Sequence, residues 1–452
     1  MRILLVTHYF PPYDHIGSAR TGKTAKYLER FGHDVRVIAA RNTLTPFATM
    51  PVEIPKEHVV YTPWISWFFR TDLALNRLAQ RLRGSTHFNG TKAVRSHLEG
   101  SKNETRRRHS RLTVGGKRIR DGLRTIFYFP DAQIGWFPFG VRAGRQLLET
   151  WRPDVIFASA GPYTALLIAN RLARTFGIPW VAEFRDLWVE NHQYQHPAWR
   201  RRIEARLERS VVSSASGLVT VSEPLADRLR AAYRVDVEVV YNGFDPGDHG
   251  FGASGSSMPY LTIVYTGWVY PQHDLAPLFD AVRRLGLAAN DIRIIFYRSD
   301  GALVRALAAT FGIDEVVETR EGVSFMESLR IQREADVLLY LSWNDLRETG
   351  IFSGKLLQYL GARRPILAVG NSANAPARMI IERRLGFASP DSGEIAARIS
   401  DWMSEKRTTG KIGEVPAKAA AEFSRENQTR RLERFLAGVV GRGTMAPGPS
   451  RR

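Results

Sequence analysis

Apolar residues along this chain fall into short runs separated by longer amphipathic stretches, and the alternation persists from the first residue to about residue 440. Met1–Phe10, with Ile3-Leu4-Leu5-Val6 at its centre, predicts a buried strand, Thr24–Phe31 a helix stopped by Gly32-His33, and Asp34–Ala40 a second strand. After a long polar interval the rhythm resumes. Strands are expected at Asp154–Ala158, Trp180–Phe184, Gly217–Val221 and Val237–Tyr241, with helices over Tyr163–Phe176 and about 197–214. A second series follows, with strands at Leu261–Tyr265, Ile292–Tyr297, Val337–Leu341 and Pro365–Val369 and helices between them. Strands that are apolar throughout, alternating with helices, imply α/β architecture with parallel sheets covered on both faces.

A length of 452 residues exceeds what one core supports. The Gly/Ser-rich stretch at 247–258 breaks the pattern and marks the expected linker. The expected organisation is a first Rossmann-like domain over 1–246, carrying a basic and aromatic insertion at about 60–125, and a second over 259–416. A Gly/Pro/Arg-rich tail at 441–452 is expected to be disordered. Open parallel sheets bind ligands at the carboxyl ends of their strands, beside helix N-termini. Two such halves facing across a cleft would offer two ligand edges.

Composition removes several chemistries. The absence of cysteine excludes disulfide frameworks, thiolate metal sites and cysteine nucleophiles. The opening residues are too short an apolar run for a signal-peptide core, and nothing approaches about 20 continuous apolar residues. A cytoplasmic protein, peripheral at the inner face of the membrane, is the expectation. The charge supports that placement: the net is +19, and Arg70–Arg124 alone holds 15 Lys/Arg against 4 Asp/Glu. Upstream stands Pro63-Trp64-Ile65-Ser66-Trp67-Phe68-Phe69, an aromatic cluster suited to a headgroup interface. A solvated insertion and an anionic membrane surface compete for this segment. Nucleic acid ranks last, because the aromatics and arginines are segregated rather than interleaved.

Two segments carry candidate chemistry. Gly17-Ser18-Ala19-Arg20-Thr21-Gly22-Lys23-Thr24 satisfies the P-loop pattern. Its context does not, because Pro11-Pro12 and six further residues separate it from the strand, and no Mg²⁺-binding aspartate follows in place. The stronger signal is Ser353-Gly354-Lys355-Leu356-Leu357-Gln358, where a polar loop enters a helix. Ser353 can cap it, Gly354 permits close approach, Lys355 adds a cation beside free N–H groups, and Gln358 lies one turn along the same face. This reads as a diphosphate seat. Gly267, directly after the first strand of the second domain, is a second close-approach glycine.

In order and wording, several segments together resemble the retaining family 4 glycosyltransferases of the GT-B fold. They are Met1–Pro12 with Gly17, Pro130-Asp131 with Gly135-Trp136, Pro179–Trp188, Val219–Leu225, Tyr241–Asp245, Ser353–Pro365 and Phe423–Asn427. The resemblance implies two Rossmann-like domains, a nucleotide-diphosphate sugar held mainly by the second, and a glycan or lipid-linked acceptor held mainly by the first. It also implies transfer with retention, no metal or other cofactor, and a C-terminal helix, at 417–440 in this chain, that packs back toward the first domain. On that basis Gly267, Arg298, Ser353, Gly354, Lys355 and Gln358 are the expected donor-binding residues. His8, Gly17 and Arg185 are the expected acceptor-binding residues, and Asp186 and Glu348 the expected catalytic carboxylates. Where many relatives place two glutamates eight positions apart, this chain has Gly350 and Gln358. The loop after Gly267 carries Trp268, Tyr270, Gln272 and His273 in place of the usual cations, so charge neutralisation falls to Lys355, Arg298 and Arg347. A nucleotide-sugar epimerase on the same fold and a basic nucleic-acid-binding protein are the alternatives.

Overall fold

The computed structural model describes residues 1–42, 48–65, 125, 128–191, 194, 196–249, 255–270, 273–299, 301–342 and 354–445. The chain divides into two compact units, one formed by Met1–Val221, Leu225–Val239 and Leu432–Arg452, the other by Ser222–Pro224 and Val240–Arg431. The change of unit thus falls at Val239–Val240, and the Gly/Ser-rich stretch lies inside the second unit.

The first unit is built on a seven-stranded sheet. Its described elements are β1 (Arg2–Thr7), α1 (Ile16–Arg30), β2 (Asp34–Ala40), β3 (Val59–Thr62), α2 (Phe137–Thr150), β4 (Val155–Ser159), α3 (Thr164–Phe176), β5 (Trp180–Phe184), α4 (Ala198–Val212), β6 (Gly217–Thr220), α5 (Glu223–Ala232) and β7 (Val237–Val239). All pairings are parallel, in the order β3-β2-β1-β4-β5-β6-β7. The strand order reverses beside β1, so the switch point lies between the ends of β1 and β4. A core of Trp136, Trp180, Trp188 and the aliphatics of β1, β4, β5 and α3 fills one face of the sheet.

Helix α1 begins eight residues before the predicted start, and the reason is local. His15 caps it, its Nδ1 accepting from Gly17 N at 2.9 Å. Asp14, the residue expected from its type to cap, instead accepts from Thr49 and Met50. Gly17–Thr24 is therefore helical, and Lys23 is ion-paired to Glu53 at 2.7 Å. A P-loop must present successive N–H groups to phosphates, so the nucleoside-triphosphatase pattern has no structural counterpart here.

The second unit repeats the architecture with β8 (Leu261–Thr266), α6 (Ala276–Arg284), β9 (Ile292–Tyr297), α7 (Gly301–Phe311), β10 (Val317–Arg320), α8 (Phe325–Glu334), β11 (Val337–Leu341), α9 (Gly354–Ala362), β12 (Ile366–Val369), α10 (Ala375–Glu382), β13 (Gly386–Ser389), α11 (Ser392–Thr409) and the short α12 (Ala417–Ala420). The sheet is again all parallel, in the order β10-β9-β8-β11-β12-β13, with its switch point between β8 and β11. Side-chain alternation divides the core. Ile263, Ile294, Phe296 and Leu339 face α6 and α11, whereas Val264, Ile295, Leu338 and Ala368 face α9 and α10.

A last helix, α13 (Arg425–Met445), has its first turns in the second unit, where Gln428 Oε1 accepts from Tyr241 N at 2.7 Å. From Leu432 onward it belongs to the first, with Glu433 on His33 at 2.8 Å and Phe435 and Val439 against Gly217. No helix among the described residues is long and apolar enough to cross a membrane.

Candidate functional site

At the switch point of the second sheet, Gly267 directly follows β8, and its N–H donates to Tyr297 O at 2.9 Å. Its φ of +132° is strained for an L side chain, and a Cβ there would lie 2.2 Å from Lys355 Cε and 2.7 Å from Nζ. Glycine is required because the Lys355 ammonium occupies that space. Lys355 Nζ donates to the Tyr265 hydroxyl at 3.0 Å, which donates onward to Trp268 O at 2.7 Å. Burial, reinforced by the Arg298 charge, lowers the Lys355 pKa to about 8. The result is a cation held in a slot with its charge poorly solvated, an arrangement that favours an anionic ligand.

Hydrogen bonds at Thr266 tie the end of β8 to α9 and to α8. Tyr359, fully buried, receives Thr266 N on its hydroxyl at 3.3 Å, while Thr266 Oγ1 accepts from Gln332 at 3.0 Å. The N-terminus of α9 is fixed beside the loop after β8, with Gly354 and Gln358 half-buried. In that loop His273 Nδ1 accepts from Tyr270 N at 3.2 Å, which places a neutral ring's proton on Nε2. Burial, then the Lys355 charge, lowers the His273 pKa to about 4, so at neutral pH the imidazole is uncharged. Arg298 ends β9 in a left-handed conformation (φ +59°) with its side chain exposed. Gly267, Lys355 and Arg298 thus gather at the carboxyl end of the second sheet. Glu348 and Ser353, with Arg347, lie outside the described residues. Tyr265 and Tyr359 are not signalled by the sequence, because nothing local to them marks their partners Lys355 and Thr266.

At the switch point of the first sheet, Arg185 is the organising side chain. Its Nε donates to Ala160 O at 2.7 Å and Nη2 to Gly161 O at 2.6 Å. Nη1 passes so close to the start of α1 that a Cβ on Gly17 would lie 2.4 Å from it. Asp186, the next residue, is exposed, and Arg185 makes its bonds to the two carbonyls. Beneath them, Glu183 accepts twice from Arg20 on Oε1, at 3.0 and 2.6 Å, and once from Ser159 on Oε2. Burial alone would raise the Glu183 pKa, but the Arg20 charge and hydrogen bonds hold it below the ordinary range. His15 stacks on Tyr9, with ring centroids 3.7 Å apart, and burial followed by the Arg185 charge lowers its pKa to about 4.

His8 is 1% exposed, with edge contacts to Tyr9, Trp64 and Trp136 and, among the described residues, no hydrogen-bond partner on either ring nitrogen. It lies under the aromatics rather than on the ligand edge, and burial lowers its pKa to about 3. Gly17→Ala is expected to displace the Arg185 guanidinium. A crystal structure of the variant should show the Arg185 bonds to Ala160 O and Gly161 O lost or lengthened, and its melting temperature should fall.

Residues 100–248 match the family described as Glycosyltransferase Family 4. No curated protein matches this chain by sequence. Among solved structures, Anabaena HepE in complex with UDP and glucose aligns over 97% of this chain and 100% of its own, at 14% identity and a TM-score of 0.59. Sucrose-phosphate synthase from Thermosynechococcus elongatus aligns over 98% and 100%, at 12% identity and a TM-score of 0.59. The lipopolysaccharide outer core galactosyltransferase WaaB, in its apo form, aligns over 97% and 99%, at 12% identity and 0.51. Alignment over the whole length at such low identity establishes the fold, which is GT-B.

Proposed function

We propose that this chain, with its Glycosyltransferase Family 4 match on a GT-B frame, is a glycosyltransferase that moves a sugar from a nucleotide-diphosphate sugar to a glycan acceptor. The observation that carries the reading is the Lys355 ammonium seated against Gly267 at the switch point of the second sheet. Breaking the bond between the anomeric carbon and the diphosphate oxygen develops negative charge on the departing diphosphate. Lys355, its pKa lowered to about 8, is positioned to receive that charge, and Arg298 and the N-terminus of α9 add to it.

Finer features of the proposal rest on the resemblance and on charge distribution. Transfer proceeds with retention, the acceptor oxygen bonding to the anomeric carbon on the face the diphosphate leaves and the diphosphate taking the acceptor proton. No metal step is invoked. Asp186, exposed after β5, orients the acceptor, and Arg185 helps to hold it. The acceptor is carried on a lipid at the inner face of the membrane, consistent with 15 Lys/Arg against 4 Asp/Glu over Arg70–Arg124.

The test is a thermal-shift and calorimetric titration with UDP, GDP, ADP and their sugars, followed by product analysis with acceptor. At least one nucleotide should raise the melting temperature, and sugar transfer should require acceptor. Conversion of the sugar nucleotide without acceptor would identify an epimerase instead. Affinity should also depend on pH with a defined sign. Below about pH 8 Lys355 is charged in the free protein, and affinity is flat. Above it the diphosphate must recruit a proton to the lysine, so affinity for a sugar nucleotide falls, approaching about tenfold per pH unit.

A further inference from the structure

The geometry points to the outer face of α4 as a docking surface for anionic phospholipid. In the sequence Ala198-Trp199-Arg200-Arg201-Arg202-Ile203-Glu204-Ala205-Arg206-Leu207-Glu208-Arg209-Ser210, the helix sorts its charges by face. Glu204 and Glu208 both point inward. Glu204 pairs with Arg200 at 2.5 Å and accepts from Trp188 Nε1 at 3.3 Å, and Glu208 accepts from Val189 N at 3.2 Å. Arg202, Arg206 and Arg209, spaced three to four residues apart, are exposed on one stripe. Beside them, one turn apart, stand Trp199 and Ile203, 48% and 46% exposed.

The exposed face of α4 therefore carries arginine and large apolar groups and no carboxylate of its own helix. An ordinary solvated helix would mix signs on its outer face and keep tryptophan and isoleucine inside. Trp199 and Ile203 can enter the acyl boundary while the three guanidiniums meet lipid phosphates, the division of labour of an interfacial helix. On the opposite side of the helix, buried Arg200 donates to the carbonyls of Thr125, Tyr128 and Pro130 and anchors α4 to the first unit. This extends the lipid-linked acceptor reading, but vesicle binding needs neither donor nor acceptor, so each can fail alone.

The test is flotation of the full chain with vesicles of phosphatidylglycerol and phosphatidylcholine, against phosphatidylcholine alone. Wild type should float with the anionic vesicles only, and less at high salt. Trp199→Ala/Ile203→Ala and Arg202→Glu/Arg206→Glu/Arg209→Glu should each reduce partitioning by about tenfold or more. Both should keep the wild-type melting temperature and nucleotide affinity, because the replaced side chains are exposed. No flotation of wild type, or flotation of both variants equal to that of wild type, would overturn the proposal. Salt-sensitive binding to random RNA without vesicle binding would overturn it in favour of a nucleic-acid surface.

Discussion

Lys355→Ala is expected to weaken binding of the cognate nucleoside diphosphate by roughly 10- to 100-fold, with little loss of stability in the free protein. A hydrogen bond to a charged group contributes about 1.5–3 kcal/mol, and each 1.4 kcal/mol is about tenfold in affinity. The free protein tolerates the change because the ammonium gains little there. Burial and Arg298 depress its pKa to about 8, which means that the fold disfavours the charge until an anion arrives. Gly267→Ala should approach the same loss from the other side, since the added methyl would sit 2.2 Å from Lys355 Cε and force the side chain out of its slot. Lys355→Arg should not restore affinity, because a planar guanidinium is too broad for a channel bounded by Gly267 and Tyr265. Calorimetric titration of the four proteins at pH 7 checks all three statements.

The second large effect is on stability. Arg20→Ala leaves the Glu183 carboxylate, 2% exposed, without its guanidinium, and breaking one side of a buried pair costs about 3–5 kcal/mol. The melting transition of the first unit should fall by roughly 6–20 °C. Replacing both partners, as in Arg20→Met/Glu183→Leu, should recover part of that loss, because the stranded carboxylate is gone, although buried Arg185 then lacks a compensating charge. The pH dependence has the sign of a carboxylate whose pKa is lowered by folding. The contribution is complete above the unfolded value near 4.5 and is lost as the pH falls from there toward the lower folded value. Differential scanning calorimetry of the three proteins separates these terms.

Most of this architecture was legible because fully buried parallel strands are continuous apolar runs. β2 and β9 occupy the expected residues, as do β5 and β11. The strands that escaped notice, β3, β10 and β13, span four residues each and lie at or next to sheet edges. Their short, mixed sequences, such as Val317-Glu318-Thr319-Arg320, carry too little periodicity to separate from a turn. The start of α1 was misplaced because a histidine cap has no strong sequence signature, whereas Gly17 and Pro11-Pro12 read as loop.

The site divides the same way. Gly267 and Lys355 could be nominated separately, one after a strand and one at a helix start, because the carboxyl ends of open parallel sheets collect ligands whatever the sequence. Their contact could not. It arises only because β8 and β11 are neighbours in the sheet, with α9 following β11, which brings residues 88 positions apart into van der Waals range. Arg20 and Glu183 illustrate the same limit: nothing in the sequence pairs two residues 163 positions apart, and only the adjacency of β4 and β5 under α1 brings them together. His8 shows the converse. A histidine at a strand end suggests a ligand edge, but Trp64 and Trp136 close over it.

The most direct measurement is a crystal structure of the protein with the nucleoside diphosphate that raises its melting temperature most. A β-phosphate oxygen should lie about 3 Å from Lys355 Nζ, with the diphosphate against Gly267 and the first turn of α9. A diphosphate bound instead beside Arg185 and α1, or held in the second unit out of reach of Lys355, would contradict the account.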